Sequence, residues 1–282
     1  MNLSQILILA IVQGAAELLP VSSSAHVIVA EKLMGLDPTA PAMTLLLVML
    51  HTGTMFAVIV YFRRAWAATY FASMRGFREH GLNVVIGSAA TGVVGLALLA
   101  LVKRIFASQP GFEIEHLFGN ATLMAASLAA AGVLILFASR LDGRTGGEIA
   151  PRSAAWVGAV QGLCLPFRGF SRSGATISTG IALGVARKQA EEFSFALAVV
   201  LTPAVIAREA WRLAKAPDAA SAGALGHAPL AAMIVPGLLG MALSFLAGLA
   251  ALRWLSHWLE QGRWHFFGIY CLAASLVVFA VG

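Results

Sequence analysis

Among the thirteen Asp and Glu residues of this 282-residue chain, Glu17 alone lies well inside an apolar segment. A carboxylate there is expensive, and its default reading is functional. The plain alternative is a helix-end carboxylate reaching for an interface. Gln13 precedes it by one helical turn on the same face. The pair offers oxygen ligands to a divalent cation, or a place to hold and activate a water. After a Leu19-Pro20 break come Val21-Ser22-Ser23-Ser24 and His26. The proline reverses the chain, so Glu17 and His26 are expected to face each other. An imidazole can serve as base, acid or phosphoryl-accepting nucleophile, and a serine hydroxyl attacks well with a base beside it. Ser23 and His26 are thus both nucleophile candidates, and His26 is favoured as nucleophile or base.

A second cluster stands 148 residues further on: Gln161-Gly162, Leu165-Pro166, then Ser171-Arg172-Ser173-Gly174-Ala175-Thr176. Hydroxyls, backbone N–H groups and a positive helix end meet there, a setting for an anion. Arg172 adds a planar fork that fits two phosphate oxygens. Ser171, Ser173, Gly174 and Thr176 are its candidate partners in holding phosphate. The bland reading is N-capping by Ser173 with Arg172 snorkelling. Hydroxyls, one carboxylate, imidazole and guanidinium suit a phosphate ester better than a sugar or an amino acid. His51, inside an apolar segment and followed by Thr52-Gly53, is a candidate for lining the cavity. His80, His116, His227, His257 and His265 read as loop or interface residues.

The elements that must position these groups are apolar. Hydrophobic residues make up 59% of the chain and charged ones 11%, with a mean hydropathy of +0.84. Soluble domains carry about 25% charged residues. Six stretches approach the roughly 20 residues that span a bilayer: Met43–Phe62, Asn83–Val102, Ala121–Ala138, Phe193–Ala207, Leu230–Leu252 and His265–Gly282. No cleavable leader is expected, because the first segment lacks a basic start and carries the Glu17 break. Cys164 and Cys271 sit in apolar stretches and imply neither a disulfide framework nor a thiolate metal site. The net charge of +6 resides in loops between spans, where it sets membrane orientation, and calls for no nucleic acid.

Polar breaks at matching places in two halves mark the functional centre of a membrane protein. If residues 3–30 form a re-entrant hairpin with both ends on one side, the loop 63–82, the stretch 139–192 and the loop 253–264 share the opposite side. They carry eleven Lys and Arg, leaving out Arg168 and Arg172 in the second hairpin, against six on the other side. The richer side is predicted to be cytoplasmic. The expectation is an all-α polytopic membrane protein: six transmembrane helices plus two re-entrant helical hairpins in an inverted-topology repeat. It forms one membrane domain over 1–282, with repeats 1–138 and 139–282. The connections Leu141–Pro151 and Ala216–Pro229, rich in Gly, Pro and charge, are expected as surface loops.

The run Gln13-x-x-x-Glu17, Leu19-Pro20-Val21-Ser22-Ser23-x-x-His26 resembles the first signature of the undecaprenyl-pyrophosphate phosphatases, also known as bacitracin-resistance proteins. Gly169-Phe170-Ser171-Arg172-Ser173-Gly174-Ala175-Thr176 is similar to their second signature, and the likeness extends through Glu192-Phe193-Ser194-Phe195. The resemblance implies hydrolysis of undecaprenyl pyrophosphate to undecaprenyl phosphate and inorganic phosphate, which recycles the lipid carrier of cell-wall synthesis and confers bacitracin resistance. It implies a multi-pass protein of the bacterial inner membrane with its site open to the periplasm. It further implies help from a divalent metal, magnesium or calcium, and key roles for Glu17, Ser23, His26, Arg172 and Thr176. It leaves room for a homodimer. Two positions depart from the family pattern. Gln13 stands where many members have Glu, although the family pattern admits either, and one potential metal-binding carboxylate is therefore missing. Arg168 replaces the usual proline before the second signature, and either touches a phosphate or faces the cytoplasm.

Two rival functions compete with the phosphatase. Inverted repeats with broken helices also describe carriers, so a lipid-phosphate flippase is the alternative. A carrier needs a binding arginine but no base or nucleophile, and Glu17 with His26 favours the enzyme. A partner-binding subunit leaves the clustered polar groups unexplained.

Overall fold

The computed structural model describes residues 2–36, 41–105, 120–141, 146–215 and 230–281. These form α1 (Leu3–Leu18), α2 (Ser23–Leu33), α3 (Pro41–Tyr70), α4 (Met74–Ile105) and α5 (Ala121–Leu141). A second set follows: α6 (Pro151–Leu163), α7 (Arg172–Ala182), α8 (Arg187–Lys215), α9 (Leu230–Glu260) and α10 (Trp264–Val281). Among the described residues the only β pairing is a single bridge between Gly147 and Val185. The protein is all-α. The expected connection 216–229, residues 142–145 of the other, and His116 and His227 lie outside the described residues.

Six helices are long and apolar enough to cross a membrane: α3, α4, α5, α8, α9 and α10. They coincide with the six hydropathic stretches. Their outer faces carry exposed Val93, Leu96, Leu246 and Phe279, as lipid-facing surfaces do. One expectation needs correcting. The segment 63–82 is not a loop, because α3 continues to Tyr70 and α4 begins at Met74, and 253–264 likewise shrinks to the turn after Glu260. Hydropathy marks where apolar side chains stop. Arg63, Arg64, Arg75 and Arg78 are good helix formers whose charged ends reach water, so the helices overrun the apolar core. What ends α9 is Gly262 in the left-handed region at φ 71°.

The four short helices form two pairs. Leu19 is extended (φ −70°, ψ 151°) ahead of Pro20, as a residue before proline must be, and this stops α1. Helix α6 stops just short of Leu165-Pro166. α1 packs on α2, and α6 on α7. α1 also lies against α9, while α6 lies against α4. Glycine permits both approaches. A Cβ on Gly14 would stand 2.6 Å from the Ala247 Cβ, and one on Gly162 would stand 2.9 Å from the Gly95 nitrogen. Close backbone contact of this kind is what joins helices in lipid, where apolar burial offers little drive. Hydroxyls then tie the packed helices together. Thr91 Oγ1 donates to the carbonyls of Gly87 and Gly158 at 2.8 and 2.9 Å, and Ser244 Oγ to that of Leu50 at 2.8 Å.

Candidate active site

Glu17 occupies the last turn of α1 and gathers four side chains from four helices. Gln13, one turn earlier, donates its amide to Oε2 at 3.1 Å. Ser23, the first residue of α2, donates its hydroxyl to the same oxygen at 2.6 Å. Arg172, opening α7, reaches Oε1 with Nη2 at 3.5 Å. His51 of α3 brings Nε2 to 3.6 Å from Oε2. Its Nδ1 lies 2.8 Å from the Leu47 carbonyl, an acceptor only, so Nδ1 carries a proton. Glu17, His51 and Arg172 line one pocket with Thr54 and Thr202, walled by apolar Val58 and Val199. Glu17 and Arg172 are each about one-fifth exposed there, at 20% and 21%. Arg172 is braced from behind by the Phe195 ring, 5.5 Å from its guanidinium carbon. Its Nη1 is buried without a hydrogen-bond partner. A buried, unpaired cationic donor is costly.

The break between α1 and α2 aims Ser23. Non-helical backbone at membrane depth needs its carbonyls satisfied by protein. Ser173 Oγ donates to the Leu19 carbonyl at 3.1 Å, and Cys271 Sγ to that of Pro20 at 3.1 Å. Ser22 sits at φ 67°, the one non-glycine residue with positive φ among the described residues. Such a conformation persists only when its surroundings over-determine it. Its hydroxyl donates to the Arg168 carbonyl at 3.0 Å, which latches the second break onto the first. Its own carbonyl meets His26 Nδ1 at 2.8 Å.

A divalent cation would find two suitable protein ligands, the Glu17 carboxylate and the Gln13 amide oxygen. Among the described residues no three His, Cys, Asp or Glu side chains converge. The donor set fits a hard ion of the magnesium type, held by one carboxylate, substrate phosphates and water; it does not fit a cage built by protein alone.

Residues 6–277 match the sequence profile of the family described as bacitracin resistance protein BacA. The chain belongs to this family. It is 61% identical over 279 residues to undecaprenyl-diphosphatase 2 of Acinetobacter baylyi, across 99% of this chain and 97% of that relative. It is 35% identical over 291 residues to undecaprenyl-diphosphatase 1 of Burkholderia pseudomallei, across 98% of this chain and 95% of the relative. To the undecaprenyl-diphosphatase of Desulfosudis oleivorans it is 33% identical over 296 residues, across 98% and 97%.

Within this bacitracin-resistance fold, the expected site residues separate into two groups. Gln13, Glu17, Ser23 and Arg172 converge. His26 does not. Its ring turns away from Glu17: Nδ1 is occupied by the Ser22 carbonyl, and Nε2 by the Tyr270 hydroxyl at 2.6 Å. One turn into α2, its side chain points to α10 instead of back across the break. The hydroxyls of the second signature are also engaged elsewhere. Ser171, not Ser173, caps α7 by accepting from the Gly174 N–H at 3.3 Å. Ser173 bonds the Leu19 carbonyl, and Thr176 meets Ser194 Oγ at 2.6 Å. Ser171, Ser173 and Thr176 are at most 2% exposed, and neither they nor Gly174 line the pocket. Arg168 is exposed and faces the Glu31 carboxylate. Sequence reasoning gave no role to Tyr270, Cys271 or Phe195. Histidine inside an apolar span was the one signal for His51.

Proposed function

We propose that this protein hydrolyses undecaprenyl diphosphate to undecaprenyl phosphate and inorganic phosphate, with Ser23 as nucleophile and Glu17 as its base. The observation that carries this reading is the Ser23 Oγ–Glu17 Oε2 hydrogen bond of 2.6 Å, set in a pocket beside Arg172. Relatives named undecaprenyl-diphosphatase over their whole length support the substrate. Ser23 Oγ bonds to the terminal phosphorus as Glu17 takes its proton. The bond from that phosphorus to the bridging oxygen breaks, and undecaprenyl phosphate departs with the electron pair. A phosphate leaving group is already a stable anion. Water then attacks the phosphoserine, its proton stays with the inorganic phosphate, and the bond from phosphorus to Ser23 Oγ breaks as Glu17 returns its proton to that oxygen. Arg172 balances charge on the equatorial oxygens of the transferring group. A magnesium or calcium ion held by Glu17, Gln13 and the diphosphate would neutralise further phosphate charge. The apolar wall of Val58 and Val199 suits the start of the prenyl chain.

The architecture belongs to the same reading: one membrane domain, repeats 1–138 and 139–282, and two re-entrant hairpins of opposite entry. Exchange of α1–α5 with α6–α10 supports it, because most of the helix contacts have a counterpart after the exchange. α1 against α9 mirrors α6 against α4, α5 against α7 mirrors α10 against α2, and α3–α8 and α5–α10 map onto themselves. The excess of basic residues beside the second hairpin supports an inner-membrane protein whose site opens to the periplasm. A flippase would need the arginine but no hydroxyl bonded to a carboxylate. The test is phosphate release from undecaprenyl diphosphate by the protein purified in detergent, with no second compartment. Release that persists in Ser23→Ala would remove Ser23 as the nucleophile.

A further inference from the structure

His26 and Tyr270 form a unit that the hydrolytic scheme leaves unused. The rings of His26 and Tyr270 lie nearly parallel, 13° apart with centroids 5.7 Å from each other, and meet edge to edge through a hydrogen bond. Hydrogen-bond accounting fixes the polarity of the chain they make. The Ser22 carbonyl can only accept, so His26 Nδ1 donates across the 2.8 Å contact. Nε2 of the neutral ring is then an acceptor, and the Tyr270 O–H donates to it across 2.6 Å. The Ser22 carbonyl therefore receives two donors from one residue: this Nδ1, and the His26 backbone N–H at a long 3.4 Å. The short bond is the one made by the side chain.

Ser22 has the strained φ of 67°, takes no side-chain capping bond, and immediately precedes Ser23. Rotation at Ser22 would swing Ser23 Oγ away from Glu17. Helix α10 holds this turn at two adjacent points, Cys271 on the Pro20 carbonyl and Tyr270 on His26. We propose that Tyr270, acting through His26, is a positioning residue that locks Ser22 in its strained conformation and keeps Ser23 Oγ aimed at Glu17. His26 is thereby a positioning residue as well, distant from the reacting phosphorus. The inference rests on the reading of Ser23 as nucleophile.

Three variants of the full chain, purified in detergent, test it through kcat and KM for phosphate release, with melting temperature as the control for folding. Tyr270→Phe keeps the ring and loses the hydroxyl; kcat should fall about threefold to tenfold, the weight of one hydrogen bond, with KM unchanged. His26→Asn places an amide N–H where Nδ1 stood but cannot reach Tyr270, and should match Tyr270→Phe. His26→Ala releases the turn, and kcat should fall about a hundredfold, as a small misplacement of a reacting group does. His26→Asn as inactive as His26→Ala would overturn the proposal and return proton transfer or attack to His26. A wild-type kcat in Tyr270→Phe would overturn it too. A spectroscopic check is independent of folding in the variants. Ring-labelled His26 in the wild-type protein should be protonated at Nδ1, and a neutral ring protonated only at Nε2 contradicts the lock. Ser23→Ala separates the two levels: retained turnover defeats the nucleophile reading, whereas an inactive Ser23→Ala beside a wild-type Tyr270→Phe defeats the lock alone.

Discussion

The two broken segments are built alike and used differently. Each has a Gln-Gly pair at a helix–helix contact, a Leu-Pro stop and a serine-rich turn into a second helix. The first presents its polar groups to the pocket: Glu17 is part of the lining, and Ser23 is bonded to it. The second turns its hydroxyls inward, where Ser171 and Ser173 brace backbone groups, Thr176 meets Ser194, and only Arg172 reaches the pocket. Both are rich in serine, but only the first carries a carboxylate, Glu17, where the second has Leu165. Ser23 of the first break meets that carboxylate, while Ser173 and Ser171 of the second meet a carbonyl and an N–H.

The sharpest way to break this comparison is to remove the pair proposed as nucleophile and base, Ser23 and Glu17. Ser23→Ala or Glu17→Gln should each lower turnover by at least about three orders of magnitude, since nucleophile and base act as a unit. Glu17→Gln should still insert and fold, because an amide is cheaper to bury than a carboxylate. Next comes the single contribution of the second segment. Arg172→Ala should lower turnover by about two to three orders of magnitude. Arg172→Lys should rescue it poorly, because a point charge does not reproduce the fork. Near-normal turnover in the lysine variant would show that the guanidinium's shape is irrelevant.

Metal dependence should be smaller. Chelator should reduce wild-type turnover by about tenfold or more, with magnesium or calcium restoring it. Turnover indifferent to chelator would leave Glu17 as base alone. The smallest effect on catalysis should come from the braces. Ser173→Ala and Thr176→Val should lower stability by about 1–3 kcal/mol, by leaving the Leu19 carbonyl and Ser194 Oγ short of a partner. Turnover of the surviving folded protein should fall less than tenfold. Should either variant fold normally and lose a hundredfold in turnover, its hydroxyl binds phosphate and the two segments are more alike than described.

The sequence made some of this plain and concealed the rest for physical reasons. Six spans were legible because lipid demands long apolar runs, and helix ends were not, because arginines prolong a helix past the apolar core. Gln13 beside Glu17 followed from helical periodicity, as their 3.1 Å contact bears out. His26 misled because a reversal at proline places two residues near each other without saying which way a ring will turn. That direction was set by Tyr270, 244 residues away, which no local pattern announces. The inward use of Thr176 likewise depended on Ser194, on a neighbouring helix. Spacing found the residues, and tertiary packing decided their orientation.

The close seat of Gly14 against Ser244 and Ala247 bears on the order in which the molecule is assembled. Helix α1 is made first, yet the surface it rests on emerges about 230 residues later. At roughly 5–20 residues per second of synthesis, the N-terminal segment waits on the order of tens of seconds for its berth. Arg172 is also absent at first, being 155 residues from Glu17. Gln13 and Ser23 are not absent: they lie four and six residues from Glu17 and can hold its carboxylate from the outset. The nascent chain thus carries its own temporary solvent for the buried charge, and Ser23, the proposed nucleophile, is part of that solvent before the pocket exists.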